Sequence, residues 1–171
     1  SGSALTFDGT ALASTGSGTQ SLTVTSSATA SYIQTTGAGT VNARLQSNST
    51  TAQVGTLSNH NFVVQTNSNN IATFDTSGNL GLGVTPSAWG SGGGTYRAMQ
   101  VGSTAAFGGN ANFNRAYMFS NVYWDGANYK YITTSSATWY EQSNGAHYWF
   151  IATSGTAGTT ISQTQAMTLD A

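Results

Sequence analysis

The sequence predicts an all-β protein, and three observations carry that expectation. Only 5% of the 171 residues are charged, against about 25% in an average globular chain, which leaves few of the residues that stabilise helices. The apolar content is rich in Val, Ile, Tyr, Phe and Trp, and Thr is abundant; these residues suit a pleated, half-buried surface. Short runs alternate apolar and polar residues with a period of two, and two of them flank Asp-Gly or Asn-Gly, the strongest short hairpin signals. Disorder is disfavoured because disordered chains combine high net charge with few aromatics, whereas this one has a net charge of −1 and 11% aromatics.

The first element is a phrase used three times. "ALTFD" (Ala4 to Asp8), "IATFD" (Ile71 to Asp75) and "AMTLD" (Ala166 to Asp170) each put Thr two positions before Asp and a large apolar residue just before it. Alternation along a strand turns the apolar residues to one face and Thr and Asp to the other. A glycine follows at Gly9 or Gly78, so the phrase reads as a strand entering a turn. The three Asp residues, 8, 75 and 170, stand 67 and 95 positions apart, which excludes a solenoid of constant period. The second and third copies are each preceded by a His and an apolar run, "HNFVVQT" and "HYWFIAT". The chain opens on Ser1 without Met and stops inside the third copy, so a piece of a longer polypeptide is expected.

Upstream of residue 86, "SLTVTS", "TVNARLQ", "NFVVQT" and "NIATFD" read as short strands separated by Gly, Ser and Asn clusters. Their apolar residues are few and small. Burial in a single copy is expected to fall short of the backbone ordering cost of about 1–2 kcal/mol per residue, so several chains should associate. Residues 1–85 are therefore expected to form slender shaft modules. A Gly/Ser-rich joint follows at 86–95, "PSAWGSGGGT", with the only proline, Pro86.

Residues 96–171 are expected to form a small aromatic-rich antiparallel β-domain. Fourteen of the 19 aromatics fall between Tyr96 and Phe150, and five precede them. "AYMFSNVYWDGANYKYITT" predicts a hairpin about Asp125-Gly126, and "ATWYEQSNGAHYWFIAT" one about Asn144-Gly145.

Chemistry has few candidates. Four cations (Arg44, Arg97, Arg115, Lys130) cannot build the basic stripe that nucleic acid requires. No apolar run approaches the ~20 residues that span a bilayer, so no membrane insertion is expected. Zero cysteines exclude disulfides and thiolate metal sites. Of the five acids (Asp8, Asp75, Asp125, Glu141, Asp170), three end the repeated phrase; Asp125 with Glu141 is the single pair to weigh for glycan cleavage. His60 and His147 read as strand-start residues with ordinary hydrogen bonds, and one His per copy meets a metal only on a threefold axis. No catalytic residue, metal or cofactor is assigned. Exposed Trp and Tyr present flat faces to sugar rings and a polar edge for hydrogen bonding. The assigned ligand-binding candidates are Trp124, Tyr129, Trp139, Tyr140 and Trp149, drawn from a pool that also includes Tyr123 and Tyr148; adjacent pairs must split between the two faces of a strand.

"NIATFDTSGNLGLGVTPSAW", "NVYWDGANYKYITTSSATWYEQSNGAHYWFIATSGTAG" and "SGTAGTTISQTQAMTLDA" resemble segments of bacteriophage tail-fibre and tailspike proteins, in particular those with a C-terminal self-cleaving intramolecular chaperone. In such proteins the Asp-x-x-Gly-Asn-φ-Gly-φ-Gly phrase, whole here from Asp75 to Gly83, often separates fibre modules. The likeness covers about Asn61 to Ala171; the chaperone is absent, so none of its residues carries over. It implies an extracellular virion appendage, a homotrimer on a threefold axis, touching other virion proteins and a host-surface polysaccharide or receptor. A fibre module without receptor contact, a glycan-depolymerising spike and a bacterial adhesin stalk are the alternatives.

Overall fold

The structure is a computed structural model that describes residues 30–36, 41–90 and 96–170; the phrase "ALTFD" and the run "SLTVTS" lie outside them. It is all-β, with one short 3-10 turn at Ala111–Phe113. β1 (Ala30–Thr36), β2 (Asn42–Asn48) and β3 (Ala52–Thr56) form an antiparallel meander. Asn48 closes its second turn, its Oδ1 accepting from the N–H groups of Thr50 and Thr51. Ile33, Leu45 and Val54 stand in register across the three strands and are all exposed, Val54 at 67%. No residue of 41–61 is buried, so these strands hold no core of their own.

The rest is one nine-stranded sheet with a two-stranded ribbon on it. Along the chain come β4 (Phe62–Thr66), β5 (Asn69–Phe74), β6 (Leu80–Leu82), β7 (Tyr96–Val101), β8 (Ala105–Asn110) and β9 (Arg115–Ser120). The ribbon follows as β10 (Val122–Trp124) and β11 (Tyr129–Tyr131), then β12 (Ser135–Ser143), β13 (Ala146–Gly155) and β14 (Thr164–Leu169). The sheet order is β14-β13-β12-β9-β8-β7-β6-β5-β4. All neighbours are antiparallel except β6 and β7, which pair in parallel.

The joint expected at 86–95 lies between β6 and β7, whose parallel pairing keeps the strands on either side in one sheet. A parallel pairing needs a connection that crosses back over one face, and small residues let it lie close. A Cβ on Gly81 would meet the Val84 carbonyl at 2.1 Å and Pro86 Cδ at 2.9 Å. Trp89 is accordingly buried, stacked on Tyr96 at 5.9 Å and tilted on Phe119 at 5.7 Å. Gln100, 1% exposed, holds this connection in place. Its Oε1 accepts from the Ser87 N–H at 2.8 Å and from Trp89 Nε1 at 3.1 Å.

The repeated phrase has a physical role here. Asp75 Oδ1 accepts from the N–H groups of Ser77 and Asn79, Gly78 takes φ +83°, and Asp75 Oδ2 accepts from Asn79 Nδ2. Asn79 Oδ1 in turn accepts from the Ala98 N–H of β7 at 3.0 Å. The phrase thus turns the chain and joins β6 to β7 in the same step.

The second hairpin forms as the sequence predicts: Ser143 opposes Ala146, with Asn144 and Gly145 both at positive φ. The first is shorter and looser than expected. β9 ends at Ser120, before Asn121 (φ +62°), and only β10 and β11 pair across a loop from Asp125 to Asn128, whose N–H groups at Ala127 and Asn128 donate to Asp125 Oδ1. β9 instead pairs with β8 and β12.

One face of the sheet is closed. Trp89, the ribbon and Ile161 cover Ala98, Ala106, Tyr117, Phe119, Ala137 and Trp139 in one cluster, with Tyr117 stacked on Phe119 at 5.0 Å and Trp139 on Phe150 at 4.8 Å. The opposite face carries an apolar row in register across all nine strands. Met167 opposes Trp149, Trp149 opposes Tyr140, and Tyr140 opposes Met118. Phe107 and Met99 extend the row, and Leu80, Phe74 and Phe62 complete it. Each of the nine is exposed or half-buried.

Candidate functional site

A cleft of about 280 Å³ opens at the turn end of the closed face. Alternation on β12 and β13 directs Trp139, Glu141, Tyr148 and Phe150 to this face, because Trp139 opposes Phe150 and Glu141 opposes Tyr148. All four line the cleft, together with Tyr129 of β11, Arg115 of β9, Gln163 just before β14 and Gln165 within it. A bulge between Trp149 and Phe150 on the β13–β14 pairing sets Gln165 opposite Phe150, so an amide faces the cleft where strict alternation would set an apolar side chain.

The polar groups are arranged around aromatic walls. Tyr129 and Trp139 lie 5.0 Å apart, centroid to centroid, and Trp124 meets Tyr129 edge-on at 5.0 Å. Trp139 is only 4% exposed, and its Nε1 has no hydrogen-bond partner. Arg115 Nε lies 3.3 Å from Glu141 Oε1 and donates to Ser143 Oγ at 3.2 Å, while its guanidinium sits over the Phe113 ring at 5.3 Å. Burial raises the Glu141 carboxyl above the ordinary glutamate range, and Arg115 opposes that rise. Burial likewise holds the Tyr129 hydroxyl well above the ordinary phenol range, so it stays a neutral donor and acceptor.

The structure brings two of the five predicted ligand residues, Tyr129 and Trp139, to this cleft. Trp124 packs beside them, half-buried against the core, with its Nε1 buried and unpartnered. Tyr140 and Trp149 stand on the opposite face, 5.1 Å apart, and the Tyr140 hydroxyl shares a hydrogen bond with His147 Nδ1. Arg115, Gln163 and Gln165 were not singled out for ligand contact; the scarcity of cations was the one signal that pointed to Arg115, and nothing local marks the glutamines.

Asp125 does not line the cleft with Glu141. It sits in the ribbon loop 3.4 Å from Lys130, and the Asn128 and Ala127 N–H groups hold its carboxyl below the usual range. His60 shares a hydrogen bond with Ser58 Oγ through Nδ1. Among the described residues, no group of three or more His, Asp or Glu gathers to hold a metal, and no helix is long and apolar enough to cross a membrane.

The arrangement offers two aromatic walls, an ion pair, neutral hydroxyl donors and two amides in one small cleft. It suits a ligand with many hydroxyl groups and flat apolar faces. No protein-family model, no curated protein and no solved structure matches the chain.

Proposed function

We propose that this chain is a fibre module of the phage tail-fibre kind, a homotrimer on the outside of a virion that attaches to a host-surface polysaccharide. The observation that carries the attachment reading is the cleft in which Tyr129 and Trp139 meet Arg115, Glu141, Gln163 and Gln165. Its small volume suits a short stretch of glycan held weakly. Several copies on one particle then supply avidity without any added contact.

The test is binding of the full chain to a panel of neutral and acidic bacterial capsular polysaccharides. The expected result is binding to at least one, lost about tenfold or more in Gln165→Ala and Tyr148→Ala, since each removes a side chain from the cleft wall. Absence of binding across the panel, or unchanged binding by both variants, overturns the attachment reading. One observation favours a purely structural module instead: much of the aromatic cluster between Tyr96 and Phe150 is core, with Tyr96, Tyr117, Phe119, Tyr131 and Trp139 buried. That reading predicts no saccharide binding by any variant and the same fold.

A further inference from the structure

We infer that the open face of the nine-stranded sheet is the surface on which a second copy of this chain packs. The inference deepens the fibre reading, which requires several chains and leaves their meeting surface unassigned.

An antiparallel sheet with one face on its core ordinarily turns polar residues to water on the other. Here the open face does the reverse along its central row, from Met167 on one edge strand to Phe62 on the other. Met118 is 53% exposed and Met167 52%, and Phe107 and Phe74 are close behind. The neighbouring row mixes exposed Ile151, Val101 and Val64 with Thr164, Thr138 and Ser120. The central row carries two polar groups, the Tyr140 hydroxyl and the Trp149 Nε1–H, and the hydroxyl is engaged by His147.

The dimensions reach the minimum of about 1,000 Å² that a biological interface should clear. Nine strands spaced ~4.8 Å apart span about 38 Å, and two rows on one face add about 14 Å, or about 530 Å² projected per copy. Two such faces bury about 1,000 Å², the size at which specific interfaces begin. A patch of about 530 Å² stands toward the upper end of the largest patches that lone proteins carry, which are often functional.

The occupant follows from symmetry and charge. Around a threefold axis the same face of each copy turns inward, so each nine-residue row is met by the matching rows of its neighbours. No side chain in the central row carries a charge, and a net charge of −1 leaves copies little mutual repulsion. Ile33, Leu45 and Val54 repeat the pattern on the three-stranded sheet.

All three methionines of the chain, Met99, Met118 and Met167, lie in the row, so the wild-type protein carries its own probe. The experiment pairs light scattering with hydrogen peroxide oxidation read by mass spectrometry, on wild type, Phe107→Glu and Phe113→Glu. The expected wild type contains two or more chains, with its methionines oxidised about tenfold more slowly than in a dissociated chain. Phe107→Glu, with strand circular dichroism retained, should drop to one chain and oxidise quickly. Phe113→Glu, exposed but outside the row, should behave as wild type. A wild-type monomer, whether its methionines react quickly or are shielded within one chain, overturns the inference. So does a multimer whose methionines react quickly, or one that Phe107→Glu leaves intact. If Phe107→Glu does not fold, the wild-type mass and oxidation rates still decide. Failure of the polysaccharide panel leaves this outcome untouched, and a multimer with a fast-reacting row retains the fibre reading while removing this surface from it.

Discussion

The two faces of the nine-stranded sheet are built by the same strands, one residue out of step, and they end in opposite states. On the closed face Tyr117, Phe119 and Trp139 are covered by Trp89 and by the β10–β11 ribbon. On the open face Met118, Phe107 and Tyr140 occupy the intervening positions with no cover from the described chain. Their hydrophobicity is similar; what separates them is whether some other segment returns across them. Apolar side chains alone therefore do not define a core. A core also needs a second layer, which here comes from the connection after β6 and from a ribbon that leaves the sheet after β9.

The comparison can be broken or sharpened by substitutions graded by face. The largest effect is expected from Trp89→Ala or Trp139→Ala, which empty the closed face and should cost about 3–5 kcal/mol in urea unfolding. A loss under about 1 kcal/mol for both would show that the layer is not tightly packed. Next is Gln100→Leu, which leaves the Trp89 Nε1 and Ser87 N–H groups without their acceptor and should cost about 1–3 kcal/mol. Retention of wild-type stability would mean that the connection is held by packing alone.

A third effect is on pH dependence. Burial raises the folded pKa of Glu141 above its unfolded value, so the folded state holds the proton longer. Its contribution to stability is therefore full below the unfolded glutamate pKa of about 4.3 and declines as pH rises toward the folded value. Thermal unfolding followed from acid to neutral pH should show that decline, and Glu141→Gln should flatten it. A decline of equal slope in the variant would assign it to other groups. The smallest effect is expected on the open face, where Met118→Thr should change the stability of a dissociated chain by less than about 0.5 kcal/mol, as for exposed positions generally. A loss as large as that of Trp139→Ala would mean that the two faces are equally buried within one chain.

Several features were legible because their causes are local. Asn144-Gly145 makes the β12–β13 turn because both residues tolerate the positive φ that a two-residue hairpin demands. The strand-like "NFVVQT" and "NIATFD" runs become β4 and β5, with Phe62 opposite Phe74. Asp-Gly at 125–126 also marks a turn, but Asn121 breaks the preceding run at φ +62°, a left-handed residue that its own neighbours do not announce. The glycines after Pro86 read as a joint for the same local reason. Nothing in that composition shows Trp89 folding back onto Tyr96 and Phe119, or Gly81 providing the space for it.

Of the ligand candidates, the sequence supported only a division between faces. Trp139 and Tyr140 had to point in opposite directions, since successive side chains alternate along a strand. Alternation does not say which face will be closed, because that depends on segments arriving from residues 84–90, 122–131 and 161. Composition, period and turn chemistry determine the all-β class, the second hairpin and the turn at Asp75, since each acts over a few bonds. The tertiary structure alone decides that β6 runs beside β7, that Tyr129 meets Trp139 at Arg115 and Glu141, and that nine apolar residues align across nine strands. Those are matters of register between distant strands, where pairing energy is shared over the whole sheet and no single residue specifies its partner.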